Sequence, residues 1–254
     1  SQFLAETHNL IYRHLMMKIK NLAVLGLMAV MAGCASAPEH VSAESGKRIR
    51  KVGIVSLIGD EFTRSYVGIT VFGNEYHRRD VVEWGLDREY ETQLANAVRE
   101  LPPMTAVTAN IDRPAFAKLD SRSNPPAWEG IEHAVRQHCA ANGLDGILVV
   151  AKVGDRGVGV SVSRQQSIRA LYVSAQLALY DCSTGKVAAS NWLVAGPPKG
   201  AFGNKIQIPS LELPESWPVD GEWQAGTYKE AHAQLIMLPR SAWGYTLRQL
   251  LTSM

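Results

Sequence analysis

Residues 143–153 read GLDGILVVAKV, and residues 168–186 read IRALYVSAQLALYDCSTGK. The apolar run 146–153 is the length of a strand and too short for a buried helix, so it reads as a strand covered on both faces. The second stretch alternates. Leu171, Val173, Ala175, Leu177 and Leu179 share one side of a strand over 168–180. Residues 181–186 carry the Asp, Ser and Gly of a tight turn. Residues 187–195 then return as the partner strand of a hairpin.

Upstream, Val52–Ile58 (VGIVSLI) reads as a buried strand stopped by Gly59-Asp60. A second strand is expected over Tyr66–Phe72, with Gly73-Asn74 as its turn. Helical spacing places Leu86, Tyr90, Leu94, Ala97, Val98 and Leu101 on one face, and Pro102-Pro103 stops that helix. Met104–Ile111 reads as a further strand. After a loop over Ser121–Pro126, Asn124 is the expected N-cap and Pro125 the first helical residue. This helix runs to Asn142, with Trp128, Ile131, Val135 and Cys139 inward and Gly143 as its stop.

Downstream, Gly154–Gln166 reads as a glycine- and arginine-containing excursion, with Gly154–Gly159 as a hairpin tip. Gly196–Gly226 is rich in proline and reads as a long loop pinned by Trp217 and Trp223. A helix is expected within Glu222–Leu238. Ser241 is the expected cap of a last helix with Trp243, Leu247, Leu250 and Leu251 as its stripe. The order strand, strand, helix, strand, helix, strand, hairpin, helix predicts an α/β fold. It is expected to be a single domain with a mixed, partly antiparallel sheet and helices packed on it.

The chain has 254 residues, 46% of them apolar and 20% charged, with a net charge of +2. These values exclude a disordered chain and a polytopic membrane protein, and the charge does not point to a nucleic-acid partner. The amino-terminal segment has its own pattern. Lys18 and Lys20 follow Met17, and Leu22–Ala32 is an uncharged apolar run of 11 residues. A membrane-spanning helix needs about 20, whereas a signal-peptide core needs fewer. The run ends in Met31-Ala32-Gly33-Cys34, which resembles the lipobox of bacterial lipoproteins, with Met31 where that family usually has leucine.

The resemblance implies that Cys34 is the lipid attachment site and the amino terminus after cleavage. The partner of that end is then the membrane, through acyl chains. Ala35, in place of aspartate, leans the destination towards the outer membrane. The expected organisation is 1–16 as an overcalled or non-native extension, 17–33 as signal peptide, 34–46 as lipidated tether and 47–254 as one periplasmic α/β domain. The basic excess lies in Arg13, Lys18 and Lys20, so the mature domain is formally neutral. Lys47, Arg48, Arg50 and Lys51 read either as a headgroup contact or, more simply, as a solvated entry to the first strand.

A second resemblance covers residues 143–194. Gly143-Leu144-Asp145-Gly146-Ile147-Leu148-Val149, followed by Leu177-Ala178-Leu179-Tyr180-Asp181-Cys182-Ser183-Thr184-Gly185-Lys186, is similar to a pattern in small envelope lipoproteins. Curli-secretion lipoproteins, penicillin-binding-protein activator lipoproteins and the amino-terminal domain of the Tol-system propeller protein share it. It implies a non-enzymatic binding or assembly role beside another envelope protein or a cell-wall component.

Motifs for chemistry are sparse. Gly59-Asp60-Glu61-Phe62 lacks the second glycine of the diguanylate cyclase signature, because Ile58 stands there. Thr184-Gly185-Lys186 lacks the remaining residues of a phosphate-binding loop. Gly154–Gly159 has no following helix to complete an anion site. His77, Asp80 and Glu83 stand three apart and would share a helix face. They are the basis of an alternative reading, a periplasmic hydrolase, although Arg78 and Arg79 are the more natural partners of the two carboxylates. No serine sits in a nucleophile elbow. His133, His138 and His232 read as structural or exposed. The expectation is therefore a non-enzyme with no catalytic residue, metal or cofactor. Cys139 and Cys182 are either a disulfide or two free thiols.

Overall fold

A computed structural model describes residues 40–101, 103–107, 113, 116, 131–154, 156–163, 168–196, 207–217 and 223–251. In chain order the elements are α1 (Ala43–Arg48), β1 (Lys51–Ser56), β2 (Glu61–Val67), β3 (Glu75–Asp80), α2 (Leu86–Arg99), β4 (Thr105–Val107) and α3 (Ile131–Asn142). There follow β5 (Gly146–Lys152), β6 (Val158–Ser163), β7 (Ile168–Val173), β8 (Ala175–Asp181), β9 (Val187–Trp192), β10 (Ser210–Glu212), α4 (Ala225–Met237) and α5 (Arg240–Leu251).

The strands form two five-stranded mixed sheets, ordered β4-β1-β5-β8-β9 and β10-β7-β6-β2-β3. Read in the same sense, the second continues the first. The parallel pair β1–β5 leads into the parallel pair β2–β6, and the antiparallel pair β5–β8 meets the antiparallel pair β6–β7. The chain passes between the sheets by short segments at β1–β2, β5–β6 and β7–β8, and by longer paths at β3–β4 and β9–β10. The β7–β8 crossing is a single residue, Ser174, whose N–H donates to the Gly157 carbonyl at 2.8 Å.

Period-two alternation along β5 explains how the first sheet is buried on both sides. Leu148 and Val150 point into the larger core with Val52, Ile54, Leu177 and Leu179. That core also holds Leu86, Tyr90, Leu94 and Val98 of α2, Leu235 of α4, and Trp243, Leu247 and Leu250 of α5. Ile147, Val149 and Ala151 point the other way, with Val55, Ala178 and Tyr180, onto Val135 and Cys139 of α3 and onto Phe116. Two helix layers therefore sandwich this sheet. In the second sheet Phe62, Val158, Val160, Leu171 and Val173 face the larger core, and α4 lies over β7. The fold is α/β, with helices packed on mixed sheets.

Several boundaries differ from the sequence reading. The strand expected over 66–72 lies earlier, at Glu61–Val67, because Phe62 is the anchor that enters the core. The apolar residues beyond it form the turn into β3, where Ile69 and Phe72 are exposed. Part of the expected excursion over 154–166 is strand β6, and the alternating run 168–180 is two strands in two sheets. The proline-rich loop contains β10, and Trp217 and Trp223 are buried as expected. The last helix begins at Arg240, so Ser241 lies inside it. Asn124, Pro125 and Trp128 lie outside the described residues, as do Cys34 and the whole segment 1–39.

The stretch read as tether meets the body before residue 46. Val41 is buried, its N–H donates to the Leu250 carbonyl at 2.9 Å, and α1 follows with Ser42 as its N-cap.

Candidate functional site

The entry of the chain into the fold is closely held. The Asp145 carboxylate accepts from the backbone N–H of Arg50 at 3.1 Å and of Lys51 at 2.8 Å, fixing the start of β1 beside the start of β5. Arg48 reaches Asp181, at the end of β8, at 2.7 Å, and Glu44 at 2.9 Å. Burial raises the Asp181 carboxyl, but hydrogen bonds from Arg48 and Ser183 outweigh it and hold the group below its ordinary range. Arg50 donates to the Lys47 carbonyl and Lys51 to the Asn142 carbonyl. Arg48, Arg50 and Lys51 are therefore engaged by the fold itself, which is what a strand entry requires.

Directly after this entry, Cys139 of α3 is joined to Cys182 in the β8–β9 turn, with Cα atoms 5.7 Å apart. The same turn is fastened by Arg136, which donates to the Thr184 carbonyl at 2.8 Å. Gly185 has φ +73° and lies against the Glu132 carbonyl, so a side chain there has neither the backbone conformation nor the space.

The candidate trio is not a trio. His77 and Asp80 lie on β3, three residues apart, so their side chains leave opposite faces of the strand. Glu83 lies in a separate short turn, Val82–Trp84. All three are exposed. His77 is 3.6 Å from Glu75, and Asp80 accepts from the N–H of Val82 at 3.0 Å. Among the described residues no group of His, Cys, Asp and Glu is placed to hold a metal ion.

Sequence reasoning missed two constellations. The first is Asp87, in the first turn of α2. It accepts from Ser56 Oγ at 2.7 Å, Ile58 N–H at 3.0 Å and Gly59 N–H at 2.8 Å, and burial pushes its carboxyl up. A side chain at Gly59 would strike Asp87 N and Leu86 Cβ, so glycine is required where the crossing segment meets the helix. Glu91 accepts from Ser56 N–H and pairs with Arg113 at 2.6 Å, and Lys152 pairs with Asp60 at 2.6 Å. These carboxylates are occupied by the chain's own donors. They pin the β1–β2 crossing and present no reactive group.

The second constellation is aromatic. Phe62 meets Trp84 and Trp223 at 5.6 and 5.4 Å, Trp223 meets Trp217 and Tyr228, and Trp84 stacks on His232 at 5.2 Å. Arg79 of β3 lies over Tyr228 at 4.0 Å. The Trp223 indole N–H and His232 Nε2 are buried without a hydrogen-bond partner. The only signal in the sequence was the tryptophan content of the loop and of the turn before α2. This cluster ties β2, β3 and α4 together.

No protein-family model and no curated protein matches the chain. Solved structures give a loose likeness. The lipoprotein GNA1162 from Neisseria meningitidis is 13% identical, covering 74% of this chain and 96% of its own, with a TM-score of 0.31. The PelC dodecamer from Paraburkholderia phytofirmans is 11% identical, covering 85% and 96%, with a TM-score of 0.30. The LpoB C-terminal domain from Salmonella enterica is 13% identical, covering 66% and 90%, with a TM-score of 0.24. At these scores the likeness says nothing about what this chain binds.

Proposed function

We propose that this chain is a lipid-anchored lipoprotein of the bacterial envelope that serves as a non-enzymatic binding or assembly module. The observation that carries the reading is Met31-Ala32-Gly33-Cys34 at the end of a basic-then-apolar leader. Its position supports it, since only six residues separate Cys34 from Val41, where the chain docks on the body. Such a spacer reaches about 20 Å at most, which keeps the domain close to the bilayer. The disulfide between Cys139 and Cys182 supports an oxidising compartment and leaves Cys34 as the odd cysteine. The scattered placement of His77, Asp80 and Glu83 gives the hydrolase reading no support.

The test is metabolic labelling with a clickable fatty acid in a bacterial host, followed by membrane fractionation. Wild type takes the label and sediments with outer membranes, while Cys34→Ala takes none. Labelling that persists in the variant, or is absent from wild type, overturns the anchor. Site-specific photocrosslinking from the described surface then identifies the envelope partner.

A further inference from the structure

Strand β3 (EYHRRD) ends the second sheet, and all six of its residues are exposed. Among the described residues no strand pairs with its outer side. The most exposed large apolar side chains gather around it: Phe72 at 99%, Ile69 at 76%, Val82 at 64% and Tyr76 at 62%.

The ladder fixes which backbone groups face outward. Val81 N–H donates to the Asp60 carbonyl. In the β2–β3 register, Phe62–Arg79, Arg64–His77 and Tyr66–Glu75 are then the pairs bonded to each other. Tyr76, Arg78 and Asp80 turn their N–H and C=O groups away from β2. A strand added outside β3 must bond to these three.

That phase limits how β3 could pair with itself. Antiparallel self-pairing must set outward residues against outward residues, so the two-fold axis falls on a residue and not between two. An axis at Arg78 sets that cation against itself and His77 against Arg79. An axis at Tyr76 overlaps only the first half of the strand. An axis at His77 overlaps nearly all of it. It sets Tyr76 against Arg78 of the second copy and Glu75 against Arg79 of the second copy, each twice by symmetry. It also carries Phe72 towards Val82 of the second copy. Charged residues normally guard an edge against pairing. Within one copy Arg78 stands 3.7 Å from Glu61 and Arg79 lies over Tyr228, but both remain exposed, and their order makes the guard self-complementary in one register.

We propose that two copies of this chain pair β3 to β3, antiparallel, about a two-fold axis at His77, joining their second sheets into one continuous sheet. The interface is isologous, so every favourable pair occurs twice. Opposite charges and an arginine over a tyrosine are favourable cross-strand pairs. The apolar residues flanking the strand lose their exposure at its two ends.

The test is register-specific crosslinking in the full chain. At the axis the two residues 77 form a non-bonded pair with Cα atoms about 4.5 Å apart, within disulfide range. His77→Cys is expected to give a covalent dimer under mild oxidation. Tyr76→Cys and Arg78→Cys are expected to stay at the wild-type background, which measures any contribution from Cys34, Cys139 and Cys182. In sedimentation, Glu75→Arg should weaken the dimer by roughly ten- to thirty-fold, because two attractive pairs become repulsive. Glu75→Arg with Arg79→Glu should restore it. A wild-type protein that sediments as a monomer at every concentration overturns the proposal, as does crosslinking strongest at residue 76 or 78. Failure of the charge swap to rescue Glu75→Arg also counts against it, provided Arg79→Glu alone keeps the wild-type melting temperature, since Arg79 also lies over Tyr228 of its own copy.

Discussion

The bond between Cys139 and Cys182 closes a loop with a sequence separation of 43. In the chain-entropy description, opening such a loop frees about 13 cal/mol/K in the unfolded chain, or about 4 kcal/mol at room temperature. The folded state loses little in exchange. Helix α3 keeps its apolar seat through Val135 against Ile147, Val149 and Tyr180, and Arg136 keeps its bond to the Thr184 carbonyl. The double variant Cys139→Ser/Cys182→Ser is therefore expected to fold and to unfold at lower temperature. For a domain of this size each kcal/mol is about 2–4 °C, so the shift is about 8–16 °C. Wild type heated with a thiol reductant should move down by a similar amount, and the variant should not respond to reductant. Circular dichroism melts with and without reductant read all four states. Coincident wild-type melts, or two alkylatable thiols at these positions in protein never exposed to reductant, would refute the reasoning.

Stability should fall in acid partly through Asp181. Its folded-state pKa lies below the unfolded value, so its contribution is complete above about pH 4 and is lost as pH falls through the folded value. Asp181→Asn should flatten that limb of a urea-midpoint series against pH. Asp87 has the opposite sign, because burial raises its folded pKa, so its contribution is present below the unfolded value and is lost as pH rises through the folded value. Asp87→Ala leaves Ser56 Oγ and the N–H groups of Ile58 and Gly59 without their acceptor and should cost about 1–3 kcal/mol by urea unfolding. Gly159→Ala drives a methyl group into the Thr63 carbonyl at the β2–β6 pairing and should cost about 1–3 kcal/mol, with Ser161→Ala in the same strand as the near-neutral control.

Much of this fold was legible because its core obeys simple periods. The helix stripe Leu86, Tyr90, Leu94, Val98 and the strand at 146–152 bury where their spacing says they should. What was not legible has a common cause. From Leu171 to Leu179 every second residue enters the same core, yet the chain changes sheet at Ser174. Alternation reports which face is covered and is silent on which strand lies alongside, so one run of sequence concealed two strands. Strand β6 was missed for a related reason. Val158, Val160 and Val162 are buried, but Gly159 and Ser161 alternate with them, and glycine next to a loop reads as loop.

The residues around β3 failed in the opposite direction, and that failure is informative. Apolar residues over 66–72 pointed to a strand, but Ile69 and Phe72 face solvent outside it, while the strand that enters the core carries Arg64 and Glu61. A period rule assumes that apolar residues mark the inside of the same chain. Where Phe72 and Tyr76 are exposed beside Glu75, Arg78 and Arg79, the assumption breaks if the covering surface belongs to another molecule. The chain docks on the fold at Val41, against Leu250 of α5, whereas β3 is the outer edge of the second sheet. The proposed anchor and the proposed seam therefore do not compete for the same residues. Shortening the spacer between Cys34 and Val41 should therefore leave crosslinking through His77→Cys unchanged in detergent, and Cys34→Ala, which removes the proposed acylation site, should do the same. Loss of the His77 crosslink in Cys34→Ala would instead mean that the lipid, and not the order of charges on β3, brings two copies together.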